Sequence, residues 1–164
     1  MLVFQYGSNV DESRLNGGDR LNGSAALQGL AVTVDRYDLV FNVWSSGQQC
    51  AVANLVEGTH AIYGAVYMIA DHRVLRGLKR DNEKTLDEIE GEGRTYRRVQ
   101  VGVIFNGERI AATTYVGILP DSPERRTTQT YASHIIKGLE AVQAPPQYVD
   151  YARGRIAASL GCAY

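Results

Sequence analysis

The chain has 164 residues, of which 45% are hydrophobic and 21% charged, with a formal net charge of −1. This length predicts one domain, residues 1–164, with a sizeable core. The near balance of charge gives no reason to expect nucleic acid or an anionic membrane surface as a partner. No stretch has the apolar length of a membrane span, and the start lacks a signal-peptide pattern. Two cysteines, Cys50 and Cys162, are too few for a disulfide framework or a zinc site, so we expect reduced thiols and a cytoplasmic protein.

The first predicted element is a short buried strand over the apolar run Leu2 to Phe4. It leads into Tyr6-Gly7-Ser8-Asn9, whose small and turn-forming residues bend the chain sharply. Asn9 or Asp11 is expected to cap a short helix from Glu12 to Leu15. Such a corner can aim several backbone N–H groups at one carboxylate or phosphate. The alternative is an ordinary strand–turn–helix corner, which these residues alone favour.

Strand patterns dominate the next part of the chain. Gln28 to Asn42 alternates apolar and polar residues with one slip, which predicts one long strand, bulged or bent near Asp35-Arg36. Ala51 to Val56 predicts a further strand, and Ala61 to Ile69 is rich in the β-branched and aromatic residues typical of strands.

The apolar spacing becomes helical at Asp71, which is a plausible N-cap for a helix that stops at Gly91. Gly77 and Asp81-Asn82 are expected to kink this helix or to split it in two. A hairpin follows across Asn106-Gly107, the strongest short-range turn signal in the chain.

Two helices are predicted after Pro120. Tyr131, Ile135 and Leu139 recur at a spacing of four, and Pro145-Pro146 begins a last helix. Strands with helices inserted and appended indicate an α+β fold with an antiparallel or mixed sheet, curled into a barrel or left open.

The acidic segment from Leu86 to Glu92 contains a candidate general base. On a helix, Ile89 and Glu90 lie at offsets of three and four from Leu86, which predicts that Glu90 shares the apolar face. Asp87 and Glu88 are expected on other sides. Loss of solvation would raise the pKa of Glu90 towards the range that a general base requires at neutral pH. The alternative is a solvated acidic helix end, which the residues alone favour.

Other chemical candidates are weaker. The three histidines have no metal-ligand spacing, and Ser8 lacks a nucleophile-elbow pattern. Two groups of arginines are most simply solvated faces: Arg94, Arg97 and Arg98, and Arg125 and Arg126.

Two segments resemble the signatures of the γ-glutamylcyclotransferase family. Tyr6-Gly7-Ser8-Asn9, with Arg14 five residues on, is similar to the opening signature. Leu86-Asp87-Glu88-Ile89-Glu90-Gly91, followed by Tyr96, is similar to the second, the LDxxEG segment. Three segments between them fall in the expected order: Tyr37 to Asn42, Ala51 to Leu55 and Tyr63 to Tyr67. Either motif alone is weak, but two in order across a chain of this size are fairly specific.

The resemblance implies an α+β fold: a small mixed, mostly antiparallel β-barrel with flanking helices and no cofactor or metal. Such enzymes cyclise an N-terminal γ-glutamyl group to 5-oxoproline and release the amine. By the resemblance, Glu90 is the general acid/base. The substrate-binding residues that it implies are Tyr6, Gly7, Ser8, Asn9, Tyr96 and Tyr131. The partner is then a small γ-glutamyl compound; the released amine and the oligomeric state, a homodimer included, stay open.

This chain departs from the commonest form of the opening signature at two positions. Gln5 stands where alanine is frequent, and Val10 stands where leucine is frequent. Arg73 to Lys84 is longer than in the compact enzymes, which bears on pocket shape and substrate size. The rival interpretation is a non-catalytic relative that binds a small acidic ligand in the same pocket. Retention of both the loop and Glu90 favours the enzyme.

Overall fold

A computed structural model describes residues 1–119 and 123–161 of the chain. The strands in these ranges are β1 (Leu2–Gln5), β2 (Ala25–Thr33), β3 (Tyr37–Ser45), β4 (Cys50–Glu57), β5 (Tyr63–Ile69), β6 (Tyr96–Phe105) and β7 (Glu108–Gly117). The helices are α1 (Glu12–Leu15), α2 (Asp71–Val74), α3 (Leu86–Glu90), α4 (Gln129–Ala141) and α5 (Pro146–Leu160), with 3₁₀ turns at Ser8–Val10 and Arg76–Leu78. Pro120 and Cys162 lie outside the described residues. None of the helices described here is long and apolar enough to cross a membrane.

Five strands form a closed barrel in the order β1-β5-β2-β6-β7. The neighbours pair antiparallel, except that β1 and β7 meet in parallel at Val3 and Thr113 and close the barrel. The Thr114 hydroxyl adds a 2.8 Å hydrogen bond to the Phe4 carbonyl oxygen at this seam. The predicted α+β class, with a mixed, mostly antiparallel barrel and flanking helices, is confirmed.

The single long strand predicted from Gln28 to Asn42 is wrong. The chain leaves the barrel after Thr33, and β3 pairs with β4 in a separate two-stranded sheet. The Thr33 hydroxyl fixes this exit, because it donates to the Asp35 carbonyl oxygen and accepts from the Ile62 N–H. The slip in the apolar alternation therefore marks a change of sheet instead of a bulge.

The helical segment after Asp71 is split into α2 and α3, which confirms the second of the two predicted outcomes, a split instead of a kink. Asp71 is the first residue of α2 and not its N-cap, which is Ala70. Thr85 caps α3 in a reciprocal capping box with Glu88. Gly91 ends α3 at φ 68°, the left-handed conformation that favours glycine, as predicted. This short, doubly capped helix carries Glu90.

Helix α4 packs directly on the 3₁₀ turn that follows β1. A Cβ atom on Gly138 would lie 2.4 Å from the backbone nitrogen of Asp11, so only glycine permits this approach. The predicted apolar face of α4, with Tyr131, Ile135 and Leu139, is buried. The turn is thereby held between the barrel and a helix that comes from the other end of the sequence.

Asp11 fastens the same turn to α4. Its buried carboxylate caps α1 by accepting from the Ser13 N–H at 3.1 Å. It also lies 2.7 Å from the His134 ring and 3.1 Å from the Lys137 ammonium group. Burial raises the pKa of Asp11, but hydrogen bonds from His134, Ser13 and Lys137 outweigh it and lower the pKa from 3.8 to about 2. A depressed carboxyl pKa stabilises the fold wherever the group is ionised.

Asp11→Asn is expected to lower the free energy of unfolding at pH 7 by about 1–2 kcal/mol. One pKa unit corresponds to about 1.4 kcal/mol, and solvent partly screens the cationic partners. The contribution is complete above pH 3.8 and is lost as the pH falls towards 2, so wild type and variant should converge in acid. Urea unfolding at several pH values measures this, with exposed Asp150→Asn as the control. A difference that stays constant down to pH 2 would contradict it.

Candidate functional site

Two adjoining cavities lie where the 3₁₀ turn, α3 and β4 meet. The outer cavity has a volume of about 170 Å³ and the inner one about 30 Å³, roughly the space of one water molecule. Five lining residues are common to both: Ser8, Asn9, Glu90, Tyr96 and Tyr131. Tyr6 and Gly7 line the inner cavity. The structure thus brings together all seven residues that the sequence proposed for one site.

Glu90 projects from the last position of α3 into both cavities. Its Oε1 atom accepts a 2.7 Å hydrogen bond from Asn9 Nδ2, and Asn9 Oδ1 accepts one of 2.7 Å from Arg20 Nη2. Burial raises the pKa of Glu90, opposed by Arg20, Asn9, Gln5 and Arg14 in that order. Glu90 is half-buried, and its carboxylate is therefore partly desolvated and held in a fixed orientation, as a general base requires.

Asp87, assigned from sequence to another side of the helix, is buried instead. It accepts hydrogen bonds of 2.6 Å from Arg98 Nη1, 2.7 Å from the Tyr115 hydroxyl and 2.9 Å from the Arg76 N–H. Burial raises its pKa, but Arg98, Arg76 and Tyr115 outweigh it and lower the pKa. The spacing of three residues puts Asp87 and Glu90 on adjoining faces. Asp87 ties α3 to β6 and β7, and Arg98 is an ion-pair partner instead of part of a solvated face.

The loop of Tyr6 to Asn9 presents the start of a 3₁₀ turn to the cavities. The first bond of this turn runs from the Val10 N–H to the Gly7 carbonyl oxygen at 3.0 Å, so the N–H groups of Ser8 and Asn9 have no acceptor within it. Gly7 packs tightly: a Cβ atom there would lie 3.3 Å from Ala53 Cβ and 3.4 Å from the Tyr131 hydroxyl. The loop is thus closely packed against Ala53 and Tyr131 at Gly7, while Ser8 and Asn9 border the cavities.

The tyrosine hydroxyls in the site are bonded to the main chain. Tyr96 donates to the Ala53 carbonyl oxygen at 2.5 Å, and Tyr131 accepts from the Ala53 N–H at 3.0 Å. Tyr6 donates to the Tyr115 carbonyl oxygen at 2.6 Å. Burial, added to by neighbouring tyrosines and Glu90, raises the pKa of Tyr6 and of Tyr96 well above 10, so both hydroxyls stay protonated. Tyr6 and Tyr96 therefore line the inner cavity with their rings and donate their hydroxyl protons to backbone carbonyl oxygens.

Sequence reasoning did not place Arg20 or Trp44 at the outer cavity. Arg20 lies in a glycine- and asparagine-rich loop that no periodicity assigns to a site, and Trp44 lies in β3 with its side chain 46% exposed. Arg14 was named only within the opening signature. Its Nε donates to Ser8 Oγ at 3.1 Å, and its guanidinium carbon lies 5.8 Å from the centre of the Tyr131 ring. The guanidinium groups of Arg14 and Arg20 therefore border the same cavity as the Glu90 carboxylate.

Tyr96→Phe and Tyr131→Phe are each expected to lower both activity and stability. Each removes one partner of the buried Ala53 peptide, whose unpaired N–H or carbonyl group costs about 1–3 kcal/mol. Kinetics and thermal unfolding of both variants measure this, with Tyr37→Phe, away from both cavities, as the control. Full activity of both variants would show that these hydroxyls play no part in the site.

Comparison with known families identifies the class of protein. The sequence profile described as the AIG2-like family matches residues 61–151, more than half of the chain. The chain therefore belongs to the AIG2-like family. No curated protein matches the sequence significantly.

Solved structures share the fold. One described as a gamma-glutamyl cyclotransferase is 22% identical, with a TM-score of 0.77 over 93% of this chain and 85% of that one. An uncharacterized human protein has the same identity and TM-score over 92% and 85%. YkqA from Bacillus subtilis is 22% identical with a TM-score of 0.78, and the match covers 97% of this chain but 55% of YkqA. The predicted γ-glutamylcyclotransferase-like fold is confirmed.

Proposed function

We propose that this protein is a γ-glutamyl cyclotransferase, which converts a small γ-glutamyl compound to 5-oxoproline and the free amine. The observation that carries the proposal is Glu90, which lines both cavities, has a pKa raised by loss of solvation, and is oriented by Asn9 at 2.7 Å. The outer cavity of about 170 Å³ is smaller than the roughly 300–1,000 Å³ of drug-sized ligand pockets, which suits a small substrate. No cofactor or metal is needed for this reaction.

The reaction requires one proton to be taken and one to be returned. The lone pair of the substrate's α-amine attacks its own γ-carbonyl carbon, the carbonyl π pair moves onto oxygen, and Glu90 takes a proton from the amine. The oxyanion then collapses, the bond to the leaving nitrogen breaks, and Glu90 returns its proton to that nitrogen. A carboxyl group whose pKa is raised towards neutrality suits both steps. Because the attack is intramolecular, the site need only hold the glutamyl chain in its ring-closing conformation.

The glutamyl α-carboxylate needs an anion site beside this base. Ser8 and Asn9 line both cavities, and their N–H groups have no acceptor within the 3₁₀ turn. We assign these N–H groups as donors to the carboxylate, with the Ser8 N–H also near the Tyr131 hydroxyl. Arg14 and Arg20 border the outer cavity and add positive potential. The charge at the cavity mouth therefore favours an acidic substrate, while Glu90 favours its amino group.

A non-catalytic relative that binds a small acidic ligand would use the same loop and the same two arginines. It would have no use for a carboxylate that is partly desolvated between the two cavities, where it costs stability. The position of Glu90 therefore favours catalysis over binding alone.

Incubation with a panel of γ-glutamyl compounds tests the proposal. The panel should include γ-glutamyl amino acids, γ-glutamyl amines and larger γ-glutamylated metabolites, with 5-oxoproline detected by mass and the released amine by derivatisation. Equal amounts of the two products from at least one compound are expected. Binding of these compounds without release of 5-oxoproline would instead identify the non-catalytic relative.

A further inference from the structure

Gln5 is a buried amide that the fold leaves without a full set of partners. It ends β1, has a side chain only 6% exposed, and lines the inner cavity together with Glu90. Its Nε2 atom is buried and has no acceptor at full hydrogen-bond distance and angle within the described part of the chain, although Gln5 lies near enough to Glu90 to lower the pKa of that carboxyl. A buried unpaired donor destabilises a fold. Its retention in a cavity that contains the base therefore points to a ligand.

Several of the other polar side chains around the inner cavity already donate to acceptors within the protein. The hydroxyls of Tyr6 and Tyr96 donate to the carbonyl oxygens of Tyr115 and Ala53, and the Tyr115 hydroxyl donates to Asp87. Asn9 Nδ2 donates to Glu90. The Tyr131 hydroxyl accepts from the Ala53 N–H and interacts with Ser8. Among the side chains of this cavity, Gln5 is thus the one whose donor atom is buried with no acceptor at hydrogen-bond distance in the described residues.

The orientation of the amide follows from charge. An Oε1 atom turned towards the Glu90 carboxylate would be repelled, whereas an N–H group is attracted. Consistent with this, Gln5 is among the groups that hold down the pKa of Glu90. A primary amide carries two N–H donors, so one can face Glu90 while the other faces a ligand.

We propose that the Gln5 side-chain amide donates a hydrogen bond to the γ-carbonyl oxygen of the substrate as that oxygen becomes an oxyanion. This inference rests on the proposed function. Ring closure moves the carbonyl π pair onto this oxygen and collapse returns it, so the donor is needed most in the transition state. The inner cavity of about 30 Å³ has room for one small group, and the proposed function already assigns the α-carboxylate to the loop where it borders the outer cavity. The γ-carbonyl oxygen is the remaining acceptor next to the reacting carbon.

The matched variants are Gln5→Met and Gln100→Met. Methionine keeps the length of glutamine and removes its donors. Gln100 is exposed on β6, where its amide donates to Thr113 Oγ1 at 2.9 Å. Gln5→Ala is the second variant, since alanine is frequent at this position in the family that the chain resembles. It provides the readout if the methionine variant does not fold.

Kinetics with the γ-glutamyl compound that wild type turns over best are the measurement. We expect Gln5→Met to lower kcat by at least about 10²-fold, the usual effect of removing one oxyanion donor, with KM within a few fold of wild type. Its thermal midpoint should change little, because Nε2 has no acceptor at full hydrogen-bond distance in the described residues whose loss would destabilise the fold. Gln100→Met should match wild type in kcat and KM.

Three results would overturn the inference. An unchanged kcat in Gln5→Met and Gln5→Ala would exclude a role in the transition state. A kcat that reaches the wild-type plateau at higher pH, with only the acid limb displaced, would show that Gln5 acts through Glu90 alone. Absence of 5-oxoproline from wild type with every compound would overturn the proposed function itself, and the inference with it, so the two failures are distinguishable.

Discussion

Glu90→Gln is expected to lower kcat by about 10²–10⁴-fold, the usual contribution of general acid–base catalysis, while substrate binding survives. Glutamine keeps the shape of the side chain and can still accept from Asn9, but it cannot take the α-amine proton. Steady-state kinetics separate kcat from KM, and direct titration of the inactive variant with substrate measures affinity. Near-normal turnover would show that Glu90 is structural and that the proposed mechanism is wrong.

The pH dependence of wild type gives an independent check on the same group. Burial raises the pKa of Glu90 above 4.5, and a base must be deprotonated to act. The value of kcat/KM should therefore fall as the pH drops through a point above 4.5, and this acid limb should vanish from the residual activity of Glu90→Gln. Glu108→Gln, an exposed change at the start of β7, is the matched control and should keep the wild-type profile.

Gly7→Val is expected to abolish substrate binding, with a larger effect on affinity than any other change in the loop. Gly7 has a φ of −92°, which any residue adopts, so glycine is required there for space and not for its backbone conformation. Its Cβ position already lies 3.3 Å from Ala53 Cβ and 3.4 Å from the Tyr131 hydroxyl. The two methyl groups of valine must displace Tyr131 or close the approach to the Ser8 and Asn9 N–H groups.

Ser8→Ala should be mild by comparison, because the proposed anchor uses the backbone N–H of Ser8 and not its hydroxyl. Gly18→Val is the control, since its Cβ position has no neighbour within 4 Å. Calorimetric titration with substrate or 5-oxoproline measures affinity, and thermal unfolding separates lost binding from lost folding.

A crystal structure with bound product is the decisive experiment for the anchor. The carboxylate should lie within about 3 Å of the loop nitrogens. A carboxylate held instead by the guanidinium group of Arg14 or Arg97 would overturn the backbone anchor. Arg97 is exposed on β6 and lines neither cavity, whereas Arg14 borders the outer one, so Arg14 is the serious competitor.

The local elements of this protein could be predicted because their signals are local. The Asn106-Gly107 turn, the Gly91 stop and the four-residue spacing of Tyr131, Ile135 and Leu139 are each decided by neighbours in sequence. Where β2 ends was not predictable in this way. Alternation continues almost unbroken from Gln28 to Asn42, and only the bonds of Thr33 to Asp35 and Ile62 show that the chain changes sheet there.

The sequence by itself determined which residues could perform the chemistry: a glycine turn after a buried strand, and a glutamate beside the apolar face of a short helix. Only the tertiary structure decided how they act together, because the contacts that fix them span most of the chain. Arg20 reaches Glu90 through Asn9, Asp87 turns inward to meet Arg98 and Tyr115, and the Gln5 amide comes to lie beside Glu90. None of these pairings follows from spacing, since closure of the barrel brings together elements that are far apart in the sequence.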